Sequence, residues 1–419
     1  MSKKVIIFGS TGTVGRKAVE AAHACGFEII AITGHKNHTE LIRQIQKYRP
    51  RYACCSDPES YEKVKSQIDC GLLLKPSESG LLLGDTERRS GVYKGVHEHS
   101  STGSTQEETD YGGFRCDTEL LHETDIDTLA KLDADCCVMA ISGAASLAPT
   151  FACLGHSRRI ALASKEAILL GGRLLMDMAK SCGTEIIPLD SEHNAIFQCI
   201  QDESCESIAE LILTASGGAF VNYTEEELRN VELSDALKHP NWTMGPKVTI
   251  ESATLMNKAT EIIEASVLFD FPVDQISYII HPESIIHSMV RFNDNSYKAL
   301  LSSPDMILPI MFSLNRPLRQ LHGVPPLDLV NLGKLTFRAP QEWQRRNIDL
   351  AYKVVRDGMV IAFTIANEIA VSKFMMGEIK FCEIYDTVMR MLDKCDRETV
   401  NALSDITELV DTYMSKLTR

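Results

Sequence analysis

The sequence predicts an α/β protein of two or three domains, on three observations. Residues 3–33 read strand, glycine turn, helix, strand. Two later apolar strands exit into charged groups, Lys165-Glu166 and Asp190-Ser191-Glu192. From Gln341 onward the chain has helical spacing almost throughout. At 419 residues it is too long for one comfortable core.

The first strand is KKVIIFG, a β-branched run that stops at glycine. The turn Gly9-Ser10-Thr11-Gly12-Thr13-Val14-Gly15 fits GxxGxxG rather than GxGxxG, and the helical TVGRKAVEAAHACG follows. Glycines there let the backbone approach a pyrophosphate lying on the helix N-terminus. An ordinary tight turn is the other reading, and the strand before and helix after weigh against it. FEIIAIT is the second strand. Where an NAD-selective site places an acid, the chain offers Gly34, His35, Lys36 and Asn37. Cationic and neutral donors suit a 2′-phosphate, so NADP is favoured over NAD; a solvated loop is the bland reading of His35-Lys36.

HTELIRQIQKYRP and SYEKVKSQI continue as helices, and residues 91–113 are polar enough to read as a mobile surface insertion. ADCCVMAIS, RRIALAS and TEIIPL are further strands, separated by the helix-like FACLGH and LLGGRLLMDMAKSCG. Lys165-Glu166 and Asp190-Ser191-Glu192 then fall at strand exits, the edge where open parallel sheets collect ligands. On an extended segment, spacing two points Asp190 and Glu192 the same way, and adjacent like charges ask for a cation or a proton. The strand LILTA runs into Ser216-Gly217-Gly218, a natural anion loop. His239 and Trp242 share a Pro/Asn-rich loop, where the tryptophan is an anchor or a lid residue. Ser252 is expected to start a helix carrying Asn257, Lys258, Glu261 and Glu264 three or four apart on one side. Residues 274–302 read as two or three strands bearing His281 and His287. Residues 316–341 read as a linker, and the methionines and leucines of the helical tail as core.

A formal charge of −14 and the lack of a basic block argue against a nucleic-acid surface. The 13 cysteines include no CxxC, so reduced thiols are expected. MSKK runs straight into VIIFG, leaving no room for a targeting segment, and no stretch is apolar enough to span a membrane; a cytoplasmic location is expected. The oxygen-rich set Asp190, Glu192 and Glu261 favours Mg²⁺ or Mn²⁺, against the alternative of helix caps and surface acids. Ser216, Ser252, Asn257 and Lys258 offer hydroxyls, an amide and a point charge to a phosphate monoester, although Ser252 also reads as an N-cap. The residues thus reach an NADP-dependent enzyme using a hard divalent metal on a small phosphorylated substrate. They do not say which bond is made or broken.

GSTGTVG (9–15), ALASKE (161–166), PLDSEHNAIFQ (188–198), ASGGAF (215–220), HPNWTMGPKVTIESATLMNKATEIIEA (239–265), IHPESIIHSMV (280–290) and ANEIAV (366–371) together resemble the 1-deoxy-D-xylulose 5-phosphate reductoisomerase family. The resemblance implies a V-shaped homodimer. It implies an N-terminal Rossmann-type NADPH domain (1–187), a central α+β catalytic, metal- and substrate-binding and dimerisation domain (188–315), a linker (316–341) and a C-terminal helical domain (342–419). It makes Asp190, Glu192 and Glu261 the metal ligands. Ser191 and Lys165 hold the substrate's oxygenated carbons, and Ser216, Ser252, Asn257 and Lys258 its phosphate. His239 and Trp242 belong to a lid, Met244 lies by the nicotinamide, Glu166 and Gly245 bind the cofactor, and His287 is close to the site. Lys165, Glu192, His239 and His287 are the catalytic candidates. The implied reaction rearranges 1-deoxy-D-xylulose 5-phosphate to an aldehyde, which NADPH reduces to 2-C-methyl-D-erythritol 4-phosphate.

The chain departs from the family pattern at Ser146 (commonly Gly), Ser164 (commonly Asn), Ala219 (commonly Pro) and in the long 91–113 segment. Ser146 is expected to disturb a backbone position that prefers positive φ. Two rivals stand beside the resemblance. A homoserine- or semialdehyde-type dehydrogenase explains the glycine turn but neither the Asp-Ser-Glu triplet nor Asn257-Lys258-x-x-Glu261. A nucleotide sensor with a decayed site has no reason to keep three acids.

Overall fold

The computed structural model describes residues 2–69, 117–238, 242, 244–320 and 323–418. The insertion expected at 91–113 and the candidate His239 lie outside the described residues. Among the described residues seven parallel strands form the first sheet, in the order β4-β3-β2-β1-β5-β6-β7. They are β1 (Lys4–Phe8), β2 (Glu28–Gly34), β3 (Tyr52–Cys55), β4 (Glu119–His122), β5 (Cys136–Met139), β6 (Arg159–Leu162) and β7 (Glu185–Pro188). Interleaved with them are α1 (Thr13–Ala24), α2 (His38–Tyr48), α3 (Pro58–Asp69), α4 (Ile126–Ala130), α5 (Leu147–Ala152) and α6 (Lys165–Cys182). Strands covered on both faces must be apolar throughout, which is why Val5–Phe8 and Cys136–Met139 are wholly buried. The strand order reverses between β1 and β5, and at such a crevice the carboxyl ends of the strands receive ligands.

The chain continues through α7 (Ser191–Cys199), β8 (Ile208–Ala215), α8 (Leu233–Ala236), α9 (Pro246–Thr254) and α10 (Met256–Leu268). Then come β9 (Ile276–Ile280), β10 (Ile286–Phe292), β11 (Tyr297–Leu301), α11 (Ile307–Asn315) and α12 (Leu329–Leu332). The second sheet is mixed, in the order β11-β10-β8-β9. Only β8 and β9 run parallel; β10 is antiparallel to both β8 and β11. The tail is α13 (Glu342–Asp357), α14 (Val360–Met375), α15 (Ile384–Leu392) and α16 (Leu403–Leu417). Helix α14 is apolar nearly all round and buried from Ile361 to Phe374 with few interruptions, so it forms the axis of this bundle.

One face of the first sheet (Val5, Ile7, Ile32) packs with Leu41, Ile45 and Val64 and with Ile310 and Leu314 of α11. The other face (Ile6, Phe8, Met139) joins a core that runs through α6 and α10 into α14. The 316–341 segment is docked rather than loose near its end. Arg338 and Ile280 exchange backbone hydrogen bonds at 2.9 and 3.1 Å, and the buried His281 ring meets the Thr336 carbonyl at 2.8 Å.

Three local expectations are corrected. Asp190 and Glu192 do not lie on an extended segment: Asp190 is the N-cap of α7, and its Oδ1 accepts from the Glu192 amide at 3.2 Å. Capping thus holds both carboxylates at one helix end. Ser252 does not start a helix. It lies inside α9, and the new helix begins after Leu255, which adopts the left-handed conformation at φ 61°. Ser146 has φ −75° and ψ −20°, ordinary right-handed backbone, so its side chain imposes no φ strain.

Candidate active site

The glycine turn sits at the carboxyl end of β1. Gly9 has φ 71°, and a Cβ there would come within 2.4 Å of the Ala140 carbonyl oxygen in the loop after β5. A Cβ on Gly15 would meet the Gly9 carbonyl oxygen at 2.1 Å. Glycine at both positions therefore lets the turn seat against its neighbour strand while the start of α1 closes onto it. The Gly9 amide donates to Thr33 Oγ1 at 2.9 Å, and Gly34 packs on Thr11, so the turn is locked to the end of β2. Beyond Gly34, the exposed Lys36 stands beside Asn37, whose side chain caps α2 through the Glu40 amide. Gly12, Thr13 and Val14 begin α1 with its amides facing that edge.

Lys165 opens α6 at the exit of β6, and Asp190 follows the exit of β7, so both share this edge with the glycine turn. From β1 to β7 is three strand spacings, about 14 Å. Helix α10 brings the rest: Asn257, Lys258, Glu261 and Glu264 do share one side. Ligand oxygens of Asp190, Glu192 and Glu261 all lie within 4.8 Å of one another. Lys165 Nζ is 2.5 Å from Asp190 Oδ2, 3.5 Å from Glu261 Oε1 and 3.4 Å from Glu264 Oε2. Lys258 Nζ donates to Glu261 Oε2, to Glu192 Oε1 at 3.3 Å and to the Thr214 carbonyl at 2.5 Å. Asn257 Nδ2 donates to Glu261 Oε1 at 2.5 Å, and Ser191 Oγ donates to Glu192 Oε2.

Four carboxylates face two ammonium groups in this cluster, leaving an excess of two negative charges when all are ionised. That is the charge of one divalent cation. Burial pushes Glu192 and Glu264 up to about 7. Burial also opposes ionisation of Asp190, but Lys165, with His193 and Lys258, holds its carboxyl well below the usual range. For Lys165, burial is outweighed by Asp190, Glu264 and Glu261, which keep it charged far above neutral pH. The hard oxygen donors, their convergence and the charge deficit all fit Mg²⁺ or Mn²⁺.

Ser216 follows β8, with Gly217 and Gly218 at φ 89° and 67°. A Cβ on Gly218 would come within 2.4 Å of the Ser252 carbonyl oxygen, so this turn lies directly on α9 at Ser252. Lys258, expected at the phosphate, instead turns to the carboxylates and the Thr214 carbonyl. A small cavity of about 20 Å³ opens beside the acidic cluster, lined by Ser191, Trp242, His287, Ser302 and Asp305 among others. The Trp242 and His287 rings are 6.2 Å apart, and His287 Nε2 lies 2.7 Å from Ser302 Oγ. Met244 and Gly245 lead into α9, with Gly245 as its N-cap.

Sequence reasoning missed two participants. His193 is fully buried, with Nε2 donating to the Glu261 carbonyl at 2.9 Å and Nδ1 3.4 Å from Asp190. Its place inside the Asp-Ser-Glu-His run was the available signal. Lys247 binds Glu166 at 2.9 Å and Glu368 at 3.3 Å; nothing local in the sequence marks it, because its partners are remote.

Comparison with known proteins agrees with this geometry. The 1-deoxy-D-xylulose 5-phosphate reductoisomerase profile matches residues 5–83 and 88–172, and its two C-terminal domain profiles match 186–269 and 301–414. The reductoisomerase of Geotalea daltonii is 38% identical over 411 residues, covering 97% of this chain and 96% of that protein. That of Caldanaerobacter subterraneus is 37% identical over 409 residues, covering 96% and 95%. The Zymomonas mobilis enzyme, solved in complex with NADPH, superposes with a TM-score of 0.83 at 29% identity, over 100% of this chain and 98% of that one. A reductoisomerase solved with NADPH, fosmidomycin and magnesium gives 0.83 at 33% identity, over 99% and 97%. A dehydrogenase of the homoserine type has no use for the acidic cluster, and with matches spanning the whole length that rival and the decayed sensor are set aside. The chain belongs to the 1-deoxy-D-xylulose 5-phosphate reductoisomerase family.

Proposed function

We propose that this chain converts 1-deoxy-D-xylulose 5-phosphate to 2-C-methyl-D-erythritol 4-phosphate, using NADPH and Mg²⁺ or Mn²⁺. The observation that carries the reading is the convergence of Asp190, Glu192 and Glu261 within 4.8 Å at the sheet edge that also holds the glycine turn. Asp190, Glu192 and Glu261 hold the metal, which when bound polarises the adjacent carbonyl and hydroxyl oxygens of the substrate. The turn Gly9–Gly15 with Gly34, Lys36 and Asn37 binds the phosphates and ribose of NADPH, which supplies hydride; Glu166, Met244 and Gly245 flank its nicotinamide.

Lys165, aimed into the carboxylates, steadies negative charge developing on the sugar oxygens. Ser191 Oγ, held by Glu192, faces the cavity and orients those oxygens. Ser216 and Ser252 bind the phosphate together with Asn257. Trp242 covers the substrate and excludes water, with the His287 ring 6.2 Å from it. A homodimer is part of the reading. Strand β11 is an edge strand whose Tyr297 and Leu301 are exposed, a surface that a second copy covers. No helix among the described residues is long and apolar enough to cross a membrane, and a cytoplasmic location fits the free cysteines among the described residues.

The test is NADPH oxidation in the presence of 1-deoxy-D-xylulose 5-phosphate, with Mg²⁺ or with a chelator. Turnover that requires both the sugar phosphate and the metal is the expected result. A folded, metal-replete protein that leaves NADPH untouched overturns the reading.

A further inference from the structure

We infer that Lys247 is a positioning residue that couples helix α14 of the C-terminal bundle to the nicotinamide side of the site, acting through Glu166. The inference rests on the assignment of Glu166 to that side. Lys247 lies in the first turn of α9, two residues after Gly245. Its ammonium donates to Glu166 Oε1 at 2.9 Å and to Glu368 Oε2 at 3.3 Å. The other Glu166 oxygen, Oε2, accepts from Ser164 Oγ at 3.2 Å, and Ser164 Oγ lies 2.5 Å from Ser146 Oγ. Each hydroxyl has one proton, so the chain that satisfies Glu166 runs from Ser146 to Ser164 to the carboxylate, in competition with the Gly143 carbonyl 2.8 Å from Ser146. Two of the departures from the family pattern, Ser146 and Ser164, are therefore partners in one clamp.

Helix α14 grips the other end twice. Glu368 takes the Lys247 ammonium, and the adjacent Asn367 donates through Nδ2 at 2.8 Å to Glu251 Oε1, one turn along α9 from Lys247. Burial opposes the charge on Lys247, but Glu251, Glu166 and Glu368 together outweigh it and keep the ammonium charged. This arrangement solves a specific problem. A carboxylate beside a polyanionic dinucleotide repels it unless a fixed cation neutralises the charge. Lys247 supplies that cation, and α14 holds Lys247 in place.

The experiment measures NADPH affinity by the cofactor's fluorescence, without sugar phosphate or metal, alongside melting temperature. The proteins are wild type, Glu166→Gln, Lys247→Met, Lys247→Arg, Glu368→Gln and the Lys247→Met/Glu368→Gln double variant. Lys247→Met is expected to weaken NADPH about tenfold, the effect of one lost charge-assisted hydrogen bond. Glu368→Gln should weaken it about threefold, and the double variant no more than Lys247→Met alone, because Glu368 acts through the lysine. Lys247→Arg should recover most of the affinity. Multiplying effects in the double variant, or wild-type affinity in Lys247→Met, overturn the coupling. Wild-type affinity in Glu166→Gln removes the cofactor-side assignment itself. Weakening in Glu166→Gln but not in Lys247→Met removes only the role of the lysine. Glu368→Gln, on a half-exposed side chain, keeps the test decisive if Lys247→Met folds poorly.

Discussion

The glycine turn after β1 and the acidic cluster after β7 share one sheet edge, yet they are built in opposite ways. The turn is seven consecutive residues without a charged side chain, and its shape is backbone shape: positive φ at Gly9 and a close approach at Gly15. The cluster is gathered from α6, α7 and α10, and its shape is a balance of buried charges. A turn of this kind fails when atoms are added. A cluster of this kind fails when a charge is taken away, because the partner left behind is buried and unpaired.

The largest separation between the two should come from Asp190→Asn. Loss of a metal ligand is expected to cut turnover at least about a thousandfold while NADPH affinity by fluorescence titration stays within about twofold. Equal losses in both would erase the distinction. Next in size is Lys258→Met, expected to destabilise the fold by about 3 kcal/mol in urea unfolding, since Glu192 and Glu261 lose their counter-charge. Adding Glu261→Gln to that variant should recover part of the loss, and strict additivity would mean the charges are not coupled.

Gly9→Ala tests the other region. The new Cβ has no room beside Ala140 and sits at φ 71°. It should cost about 2 kcal/mol of stability and weaken NADPH, with the Mg²⁺ requirement for turnover unchanged. Taken per pH unit, the smallest effect belongs to His287, whose pKa burial lowers to about 4. Between pH 6.5 and 4 the unfolded chain binds a proton that the folded one does not, so this residue's contribution is complete above 6.5 and is lost as pH falls. His287→Gln should flatten that fall by at most about 1.4 kcal/mol per pH unit in pH-dependent urea unfolding.

How much of each region was legible in the sequence follows from the same contrast. The glycine turn and the donors at Gly34, Lys36 and Asn37 are local and could be read in order. Asn257, Lys258 and Glu261 were legible as one helix face because helical spacing is local too. Asp190 and Glu192 were picked out for the right charge and the wrong geometry: alternation on a strand and capping of a helix both bring residues two apart together. Ser252 was misplaced because the break falls at Leu255, a residue with no preference for left-handed backbone. Lys247 was invisible, since Glu166, Glu251 and Glu368 meet it only after the C-terminal helices have packed on α9. Local chemistry announces itself in sequence; a buried charge finds its meaning in partners a hundred residues away.

The two lysines inside the acidic cluster bear on the order of events when the chain is made. Lys165 and Lys258 already neutralise part of the acid, so folding need not wait for an ion, and loading becomes a late and reversible step. Protein refolded in chelator and given Mg²⁺ afterwards should then reach the turnover of protein refolded with Mg²⁺ throughout; a permanently lower plateau would show that the ion is needed to fold. A cell short of divalent metal would idle this chain without losing it, and flux would return as soon as the ion did, with no new synthesis.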